Sequence, residues 1–448
     1  MKGDGNMAES ARAVAFKVLK DAEKNRTYSN IAVDRALSQS ELSGADRGLV
    51  TAIVMGVVER KLTLDAIISS LSQKGEQTDS DARVLLRMGI YQLYFLDRIP
   101  DHAAVNETVA LAPKRLRGFI NAVLREFLRR RESGRLESLF PSREEDMLGY
   151  LSVKYSFPKD VCAEFIKIYG TKRTEAIFEK FNSPPPLTLR INTLKISRDD
   201  YAGRLRESGI DFRLSDRLEN AVLLDGVAYN EVPGVGEGWF FIQDEASQIC
   251  VEALGAESGE TIVDVCSCPG SKSFGSAIRM GNEGKIHSFD LHKSKLPLIE
   301  RNAERLGISV IETAERDGRN PDESLFGRAD RVLCDVPCSG LGVIAKKPEI
   351  RYKSISEFER LPEIQYEILS ASARYVRKGG ILVYSTCTVL PRENRENVER
   401  FLSEHKDFEA VDFRVGELWS AGGMLSLSPD IDGTDGFFVA KMRRKENV

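Results

Sequence analysis

Histidine is scarce in this chain, with four in 448 residues. Catalysis that couples a serine or cysteine to a histidine base therefore has little to draw on. Cysteine is thin as well. Seven thiols, an odd number, are spread over the whole length. That excludes a disulfide framework and points to a reducing compartment, the cytoplasm. Long apolar runs are missing. The longest, "GLVTAIVMGVV" from Gly48 to Val58, is interrupted by Thr51 and is too short to span a bilayer, so no membrane partner is expected. The opening "MKGDGNMAES" is polar, so no secretory signal is expected, and Met7 stands as a second candidate start. No internal repeat and no low-complexity segment is present. The formal net charge of −4 carries no global nucleic-acid signal.

What is present falls into three textures. From about Ala8 to Leu136 the apolar residues recur at helical spacing, as in "ARAVAFKVLKDAEKN", "DARVLLRMGIYQLYFL" and "GFINAVLREFLRRR". No strand alternation appears, so this part is expected to be an all-α bundle, with Asp101 capping the helix after Pro100. Between Lys114 and Arg135 it carries Lys114, Arg115, Arg117, Arg125, Arg129, Arg130, Arg131 and Arg135 against Glu126 and Glu132. Such a local patch can hold phosphates even on an acidic protein. The middle is mixed. "SPPPLTLRINTLK" alternates after a rigid turn, "DDYAGRLRESGI" reads as a helix, and "VLL" and "WFFIQD" read as short strands. A small α/β or α+β module fits. From about Glu245 strands ("TIVDV", "KIHSF", "ADRVLCD", "GGILVYST") alternate with helices ("SKLPLIERNAERLG", "ISEFERLPEIQYEILSASARYV", "RENRENVERFLSEH"). Repeated βα units imply a parallel sheet covered on both faces, with ligands beyond the carboxyl ends of its strands.

The strand ends are therefore the residues to watch. "DVCSCPGSKS" follows the first of these strands and is neither a P-loop nor a GxGxxG turn. Asp264, Asp290 and Asp317 end or follow successive strands, and Lys272 is nearly alone among bases there. Acidic strand ends suit a nucleoside that carries positive charge, which favours S-adenosylmethionine. Cys266 and Cys268 lack a second Cys or His pair, so no metal is expected. Asp335 with Cys338, and then Cys387, place two thiols at the same edge. A thiolate that adds to carbon 6 of a cytosine makes carbon 5 enamine-like and able to attack a methyl sulfonium. Spacing alone leaves open which thiol does so. Cys162, Cys250 and Cys334 read as small buried apolar residues.

"DVCSCPGSKS", "LCDVPCSGLG" and "YSTCTVLPRENRENV" resemble the D-x-C-A-A-P-G-G-K-T, D-A-P-C-S-x-x-G and Y-x-T-C-S-x-x-x-x-E-N-x-x-V motifs of the Sun family of RNA cytosine-5 methyltransferases. "PPPLTLRINTLK", "FIQDEAS" and "GTDGFFVAKM" are similar to that family too. "ARAVAFKVL", "DRGLVTAIVMGVVERKLTLD", "YQLYFLDRIPDHAAVNETV" and "GFINAVLREFLRR" resemble the NusB-like domain at the front of its bacterial 16S ribosomal RNA members. The resemblance covers about Ala8 to Met442.

It implies a multidomain chain: an all-α NusB-like RNA-binding domain over 7–136, a small α/β (α+β) middle module with connecting helices over 137–241, and a C-terminal Rossmann-like α/β methyltransferase domain over 242–448. It implies that Cys387 is the nucleophile, that Cys338 assists proton removal and product release, and that Asp335 contacts the cytosine near nitrogen 3. Cys266, Ser267, Cys268, Pro269, Gly270, Ser271 and Lys272, with Asp290, Asp317 and Asp335, would hold S-adenosylmethionine. The expected partner is 16S ribosomal RNA before the subunit is fully assembled, with no protein partner. Lys346, Lys347, Arg351 and Lys353 are candidates to clamp the RNA backbone.

Ser267 and Cys268 replace the usual Ala-Ala, Ser271 replaces a glycine, and Asp430 stands where many relatives have histidine. A lost position of positive φ at Ser271 would cost on the order of 1 kcal/mol. Three other readings fit less of the sequence: a different RNA target, an antitermination-like RNA-binding module with a secondary enzyme, and methylation of nitrogen or oxygen, which needs no thiol.

Overall fold

The computed structural model describes residues 10–25, 29–72 and 78–447; Met7 and the polar opening lie outside them. The chain forms two compact units. The first runs to Asn182 and includes Lys346–Ile355, and the second comprises Ser183–Ala345 and Ser356–Val448. Among the described residues no helix is long and apolar enough to cross a membrane.

The first unit is helical throughout its described part, as its periodicity predicts. Helix Ser80–Phe95 is its central member. Asp79 caps it, accepting from the N–H groups of Asp81 and Ala82, and Leu85, Leu86, Ile90 and Leu93 enter the core. Helix Lys114–Glu132 buries Leu116, Ile120, Val123, Leu124 and Phe127. That spacing turns Lys114, Arg115, Arg117, Arg125 and Arg129 outward. The basic face is thus a consequence of the apolar stripe. Asp101 does not cap its helix. Pro100 holds the cap position without a side-chain bond, and Asp101 pairs with Arg131 instead.

Residues 346–355 correct one expectation. Arg351 does not face solvent; it is fully buried in the first unit. Its guanidinium donates to Asn182 Oδ1 at 2.6 Å and to the carbonyls of Glu59 at 3.2 Å, Tyr155 at 3.3 Å and Phe181 at 3.4 Å. It also lies 4.7 Å from the centre of the Phe157 ring. The next hydroxyl, on Tyr352, sits 2.7 Å from the Val58 carbonyl oxygen. A charged residue read from sequence as a phosphate clamp is a structural plug.

The second unit holds two main sheets. Strands β1 (Leu187–Ile191), β2 (Phe212–Leu214), β3 (Ala221–Leu224) and β4 (Phe240–Ile242) form an antiparallel sheet in the order β2-β3-β1-β4. Leu189, Ile191, Val222, Leu224 and Phe240 close its core with Tyr201 and Leu205 of helix Arg198–Glu207.

The large sheet contains β5 (Thr261–Asp264), β6 (Lys285–Asp290), β7 (Ile311–Glu315), β8 (Ala329–Asp335) and β9 (Val376–Thr386), followed by β10 (Phe408–Ala410), β13 (Met424–Leu427) and β14 (Phe437–Arg444). Between them β11 (Arg414–Val415) and β12 (Leu418–Trp419) make a separate hairpin. The order β9-β8-β5-β6-β7 is parallel, as the βα rhythm predicts. Alternate residues enter different cores: Ile262, Leu333 and Val383 one, Val263, Val332 and Leu382 the other.

Two features departed from expectation. The edge beyond β9 is antiparallel, because β14 pairs with β9 and in turn carries β10 and β13. Phe437 to Ala440 are all buried, so no alternation marked that strand. The long helix expected over "ISEFERLPEIQYEILSASARYV" starts only at Leu361, with Pro362 in its first turn.

The Arg351 plug makes a direct prediction. Arg351→Ala leaves several buried acceptors unpaired and should cost about 2–4 kcal/mol. A urea midpoint that moved by less than the equivalent of about 0.5 kcal/mol would show that the plug is not holding the first unit together.

Candidate active site

Register builds this site before side chains do. Asp335, the last residue of β8, stands opposite Ser385 near the end of β9. The turns that follow both strands leave the same edge of the sheet together. They are stitched by backbone bonds: Val336 N–H to Ser385 O at 3.1 Å, and Gly342 N–H to Cys387 O at 2.9 Å. Gly342 has no room for more than hydrogen. A Cβ there would sit 1.8 Å from the Gly436 carbonyl oxygen. The result is that Cys338 Sγ and Cys387 Sγ, 49 residues apart, lie 3.3 Å from each other.

A buried carboxyl group, Glu393, secures the arrangement. Its Oε2 accepts from Ser339 N–H at 2.9 Å and from Gln365 Nε2 at 2.8 Å, and Gln365 also donates to Pro337 O at 3.0 Å. Ser339 Oγ and Thr388 Oγ1 meet at 2.6 Å, joining the two turns directly. Tyr384 donates its hydroxyl to the Glu393 carbonyl at 2.6 Å. Ser339 belongs to the strand-end stretch 335–339 marked in the sequence, and Thr388 and Glu393 lie within "YSTCTVLPRENRENV" without a role assigned there; Gln365 was not singled out from sequence. The "ENRENV" stretch contained the signal, since an acidic residue so near an apolar strand end needs an internal partner.

Asp335 is held on both oxygens. Lys272 Nζ lies 2.7 Å from Oδ2, and Ser385 Oγ donates to Oδ1 at 2.7 Å. Burial works to lower the Lys272 pKa, but the Asp335 carboxylate, with Cys250 and Cys387 adding, overcomes it and holds the ammonium above its ordinary value. Lys272 was expected to face the cofactor; here it bridges the loop after β5 to the acid of the thiol end. The hydrogen bond with Cys387, then burial, pushes the Cys338 thiol well up. Either sulfur can be the donor in their shared contact. Burial pushes Cys162, Cys250 and Cys334 up to about 12, in keeping with packing roles.

The other end of the edge gathers the remaining expected residues. Ser267 donates both its N–H (2.8 Å) and its Oγ (3.0 Å) to Phe289 O, which sets the loop Cys266–Lys272 beside Asp290. Asp290 Oδ1 accepts from His292 N–H at 2.9 Å. Asp317 is close by, since a Cβ on the adjacent Gly318 would be 3.7 Å from Cys266 Sγ. Its carboxylate is engaged by Arg319 at 2.7 Å, and that hydrogen bond holds its pKa below the usual value despite burial. The feared strain at Ser271 does not arise. Among the described residues only Ser156 and Asn282 combine a side chain beyond glycine with positive φ. Gly270 is the residue that needs it, at φ 103°, and a Cβ there would strike the Phe274 ring.

These residues fit an adenosyl amino acid by chemistry. Helix Ser271–Arg279 starts without a side-chain cap, so its first N–H groups are available to an anionic group. Asp264 keeps one buried oxygen, Oδ1, without a partner, while Oδ2 accepts from Ser273 at 2.6 Å. Among the described residues no group of three or more His, Cys, Asp or Glu is placed to hold a metal ion.

Comparison with known proteins identifies the family. The model of the family described as 16S rRNA methyltransferase RsmB/F matches residues 251–443. The NusB family matches 9–129, and the RsmF/B-like ferredoxin-like domain matches 157–229. A probable ribosomal RNA small subunit methyltransferase B of Bacillus subtilis (strain 168) is 37% identical over 97% of this chain and 99% of its own. The chain belongs to the RsmB/F family. Within it, the ribosomal RNA small subunit methyltransferase B of Pectobacterium carotovorum subsp. carotovorum (strain PC1) is 33% identical, with 99% of both chains covered. The fold matches the crystal structure of PH0851 with a TM-score of 0.81 at 24% identity, over 99% of this chain and all of that one. A methyltransferase homolog protein from Pyrococcus horikoshii matches 65% of this chain and 97% of its own at TM-score 0.58 and 27% identity. Family membership brings with it the three expected fold components: a NusB-like helical domain, a ferredoxin-like middle domain and a Rossmann-like methyltransferase domain.

Asp264 gives this site a pH signature. Burial raises its pKa to about 7, against an unfolded value near 4. The unfolded chain therefore loses the proton first, and the penalty for folding grows as pH rises from about 4 to about 7. Asp264→Asn removes the titration. The stability of the variant relative to the parent should increase across that window, by on the order of a few kcal/mol, and level off above it. Urea midpoints that stayed parallel from pH 4 to pH 8 would contradict the assignment.

Proposed function

We propose that this protein methylates carbon 5 of a cytosine in 16S ribosomal RNA, in the cytoplasm and before the small subunit is fully assembled. The single observation that carries the reading is the thiol pair, Cys338 and Cys387 at 3.3 Å, beside the Lys272–Asp335 ion pair. A nitrogen or oxygen methyltransferase has no use for two thiols in contact. The names of the bacterial relatives support ribosomal RNA as the substrate. The segments 7–136, 137–241 and 242–448 take the roles of RNA-binding, supporting and catalytic parts.

When bound, S-adenosylmethionine supplies an electrophilic methyl group. Cys266–Lys272, Asp290, Asp317 and Asp335 hold it, the uncapped N–H groups of helix Ser271–Arg279 meeting its carboxylate and Asp290 its ribose. The target base has to leave any stack to reach the sheet edge. Asp335 contacts the ring near nitrogen 3, and the Lys272 ammonium beside it keeps a proton within reach of the electron density that moves there.

Cys387 Sγ, as thiolate, forms a bond to carbon 6, and the former 5,6 double bond makes carbon 5 the nucleophile, which would take the methyl group as the donor's S–CH3 bond breaks and its sulfonium becomes a neutral thioether. In the resting site the hydrogen bond with Cys387, then burial, raises the Cys338 pKa. Once Cys387 is a thioether it no longer shares a proton with Cys338, which gives its own proton to solvent and, as thiolate, assists removal of the carbon-5 proton. Loss of that proton restores the double bond, breaks the Sγ–carbon 6 bond and returns Cys387 as thiolate.

The two thiols separate in one experiment with labelled S-adenosylmethionine and 16S ribosomal RNA. Cys387→Ser should transfer no methyl groups and form no adduct. Cys338→Ala should accumulate a covalent protein–RNA complex, visible as a shifted band on a denaturing gel. Reversal of the two patterns would make Cys338 the nucleophile, and a fully active Cys387→Ala would remove the covalent mechanism.

A further inference from the structure

Away from the thiols, the second unit contains a cavity of about 340 Å³ with an unusual lining. Arg190, Arg217, Arg279 and Arg414 contribute to it, against Glu219 and Glu252. Arg190 forms part of the wall at 4% exposure. Its neighbours in β1, Leu189 and Ile191, serve the small-sheet core, so alternation puts Arg190 on the opposite face. It donates to Glu252 Oε1 at 2.9 Å and to Gln243 Oε1 at 3.4 Å, and its Nε is buried without a partner. Gly275 lies against this guanidinium, where a Cβ would be 2.9 Å from Nη1.

The charge is not cancelled internally. Glu252 is shared between Arg190 and Arg279. Arg217 is anchored on the Asp432 carbonyl at 2.7 Å and Arg414 on the Gly416 carbonyl at 2.7 Å. Carbonyls orient a guanidinium but leave its charge. The cavity is thus an ordered, basic pocket with an unsatisfied buried donor, which is the description of an anion site.

Its rim carries a second signal. In the β11–β12 hairpin Trp419 is the register partner of Arg414. The Arg414 guanidinium lies 5.0 Å from the centre of the indole, and Trp419 is 65% exposed. An indole open to solvent beside a basic pocket is a stacking platform for a nucleobase. Helix Ser271–Arg279 has Lys272 of the thiol site at one end and Arg279 of the pocket at the other. At 1.5 Å per residue the two are roughly 10 Å apart. The pocket is separate from the active site.

We propose that this pocket binds a phosphodiester of a single-stranded stretch of the RNA substrate, with the neighbouring base stacked on Trp419. The proposal rests on the function given above and deepens it, by naming a contact outside the active site. It takes RNA over a free phosphate or mononucleotide because the phosphate pocket and the base platform are adjacent but not enclosed together.

Trp239 and Trp419 are the two tryptophans of the chain. In a Trp239→Phe background, indole fluorescence reports Trp419 alone. A single-stranded oligoribonucleotide should quench it saturably. Arg414→Glu in that background should weaken binding at least tenfold and lower the slope of log affinity against log salt by about 1. In the otherwise unaltered protein, Trp419→Ala should raise KM for 16S ribosomal RNA about tenfold, as loss of one base stack implies, while affinity for S-adenosylmethionine holds. Absence of quenching, or quenching by adenosine monophosphate or inorganic phosphate at the same concentration as the oligonucleotide, would overturn the proposal. So would a KM within twofold of the parent. A protein that quenched with RNA but transferred no methyl groups would retain this site and lose the assigned activity. One that methylated with unchanged KM in Trp419→Ala would do the reverse.

Discussion

One buried carboxyl group, that of Glu393, holds two turns 49 residues apart in a single geometry. Its contacts with Ser339 and Gln365, and the Ser339–Thr388 contact, fix the segments that carry Cys338 and Cys387. Without them the thiols would be two side chains on neighbouring loops. With them they share a hydrogen bond, which together with burial raises the Cys338 pKa. Gly342 contributes by absence: only hydrogen fits between it and the Gly436 carbonyl. The closeness of the two thiols at one edge depends on this polar clamp.

Charge at the same edge is organised by burial. Lys272, nearly buried, keeps its charge because the Asp335 carboxylate lies beside it. The pair links the segment after β5 to the end of β8, so the two ends of this edge are joined electrostatically. Asp264 lies below the same loop with an unpartnered oxygen, and burial leaves it with a proton near neutral pH. The three acidic strand ends are thus not equivalent. Asp264 is buried and partly neutral, Asp317 is paired with Arg319, and Asp290 caps its own turn.

The same physics separates arginines that bind from arginines that hold. Arg351 is enclosed by carbonyls and Asn182 and stabilises the first unit. Helix Lys114–Glu132 carries its cations outward because its apolar stripe is buried. The four arginines of the cavity, Arg190 among them, occupy a middle state, ordered by the fold yet lining an open cavity. Position relative to the cores, and not residue type, sorts them.

By itself the sequence determined the architecture and the inventory of the site. The 3.6-residue spacing before Leu136 demanded helices, the βα rhythm after Glu245 demanded a parallel sheet, and that sheet put Asp290, Asp335, Cys338 and Cys387 at one edge. Those signals are local and periodic, so a linear reading captures them. The distance between the thiols, the Lys272–Asp335 bridge, the Glu393 clamp and the antiparallel strand β14 were decided only in three dimensions. Each depends on strand register or on a partner far along the chain, as Gly342 depends on Gly436 and Arg351 on Asn182. A charged residue has the same letter whether it meets solvent, a carbonyl or a ligand, and burial alone tells these fates apart.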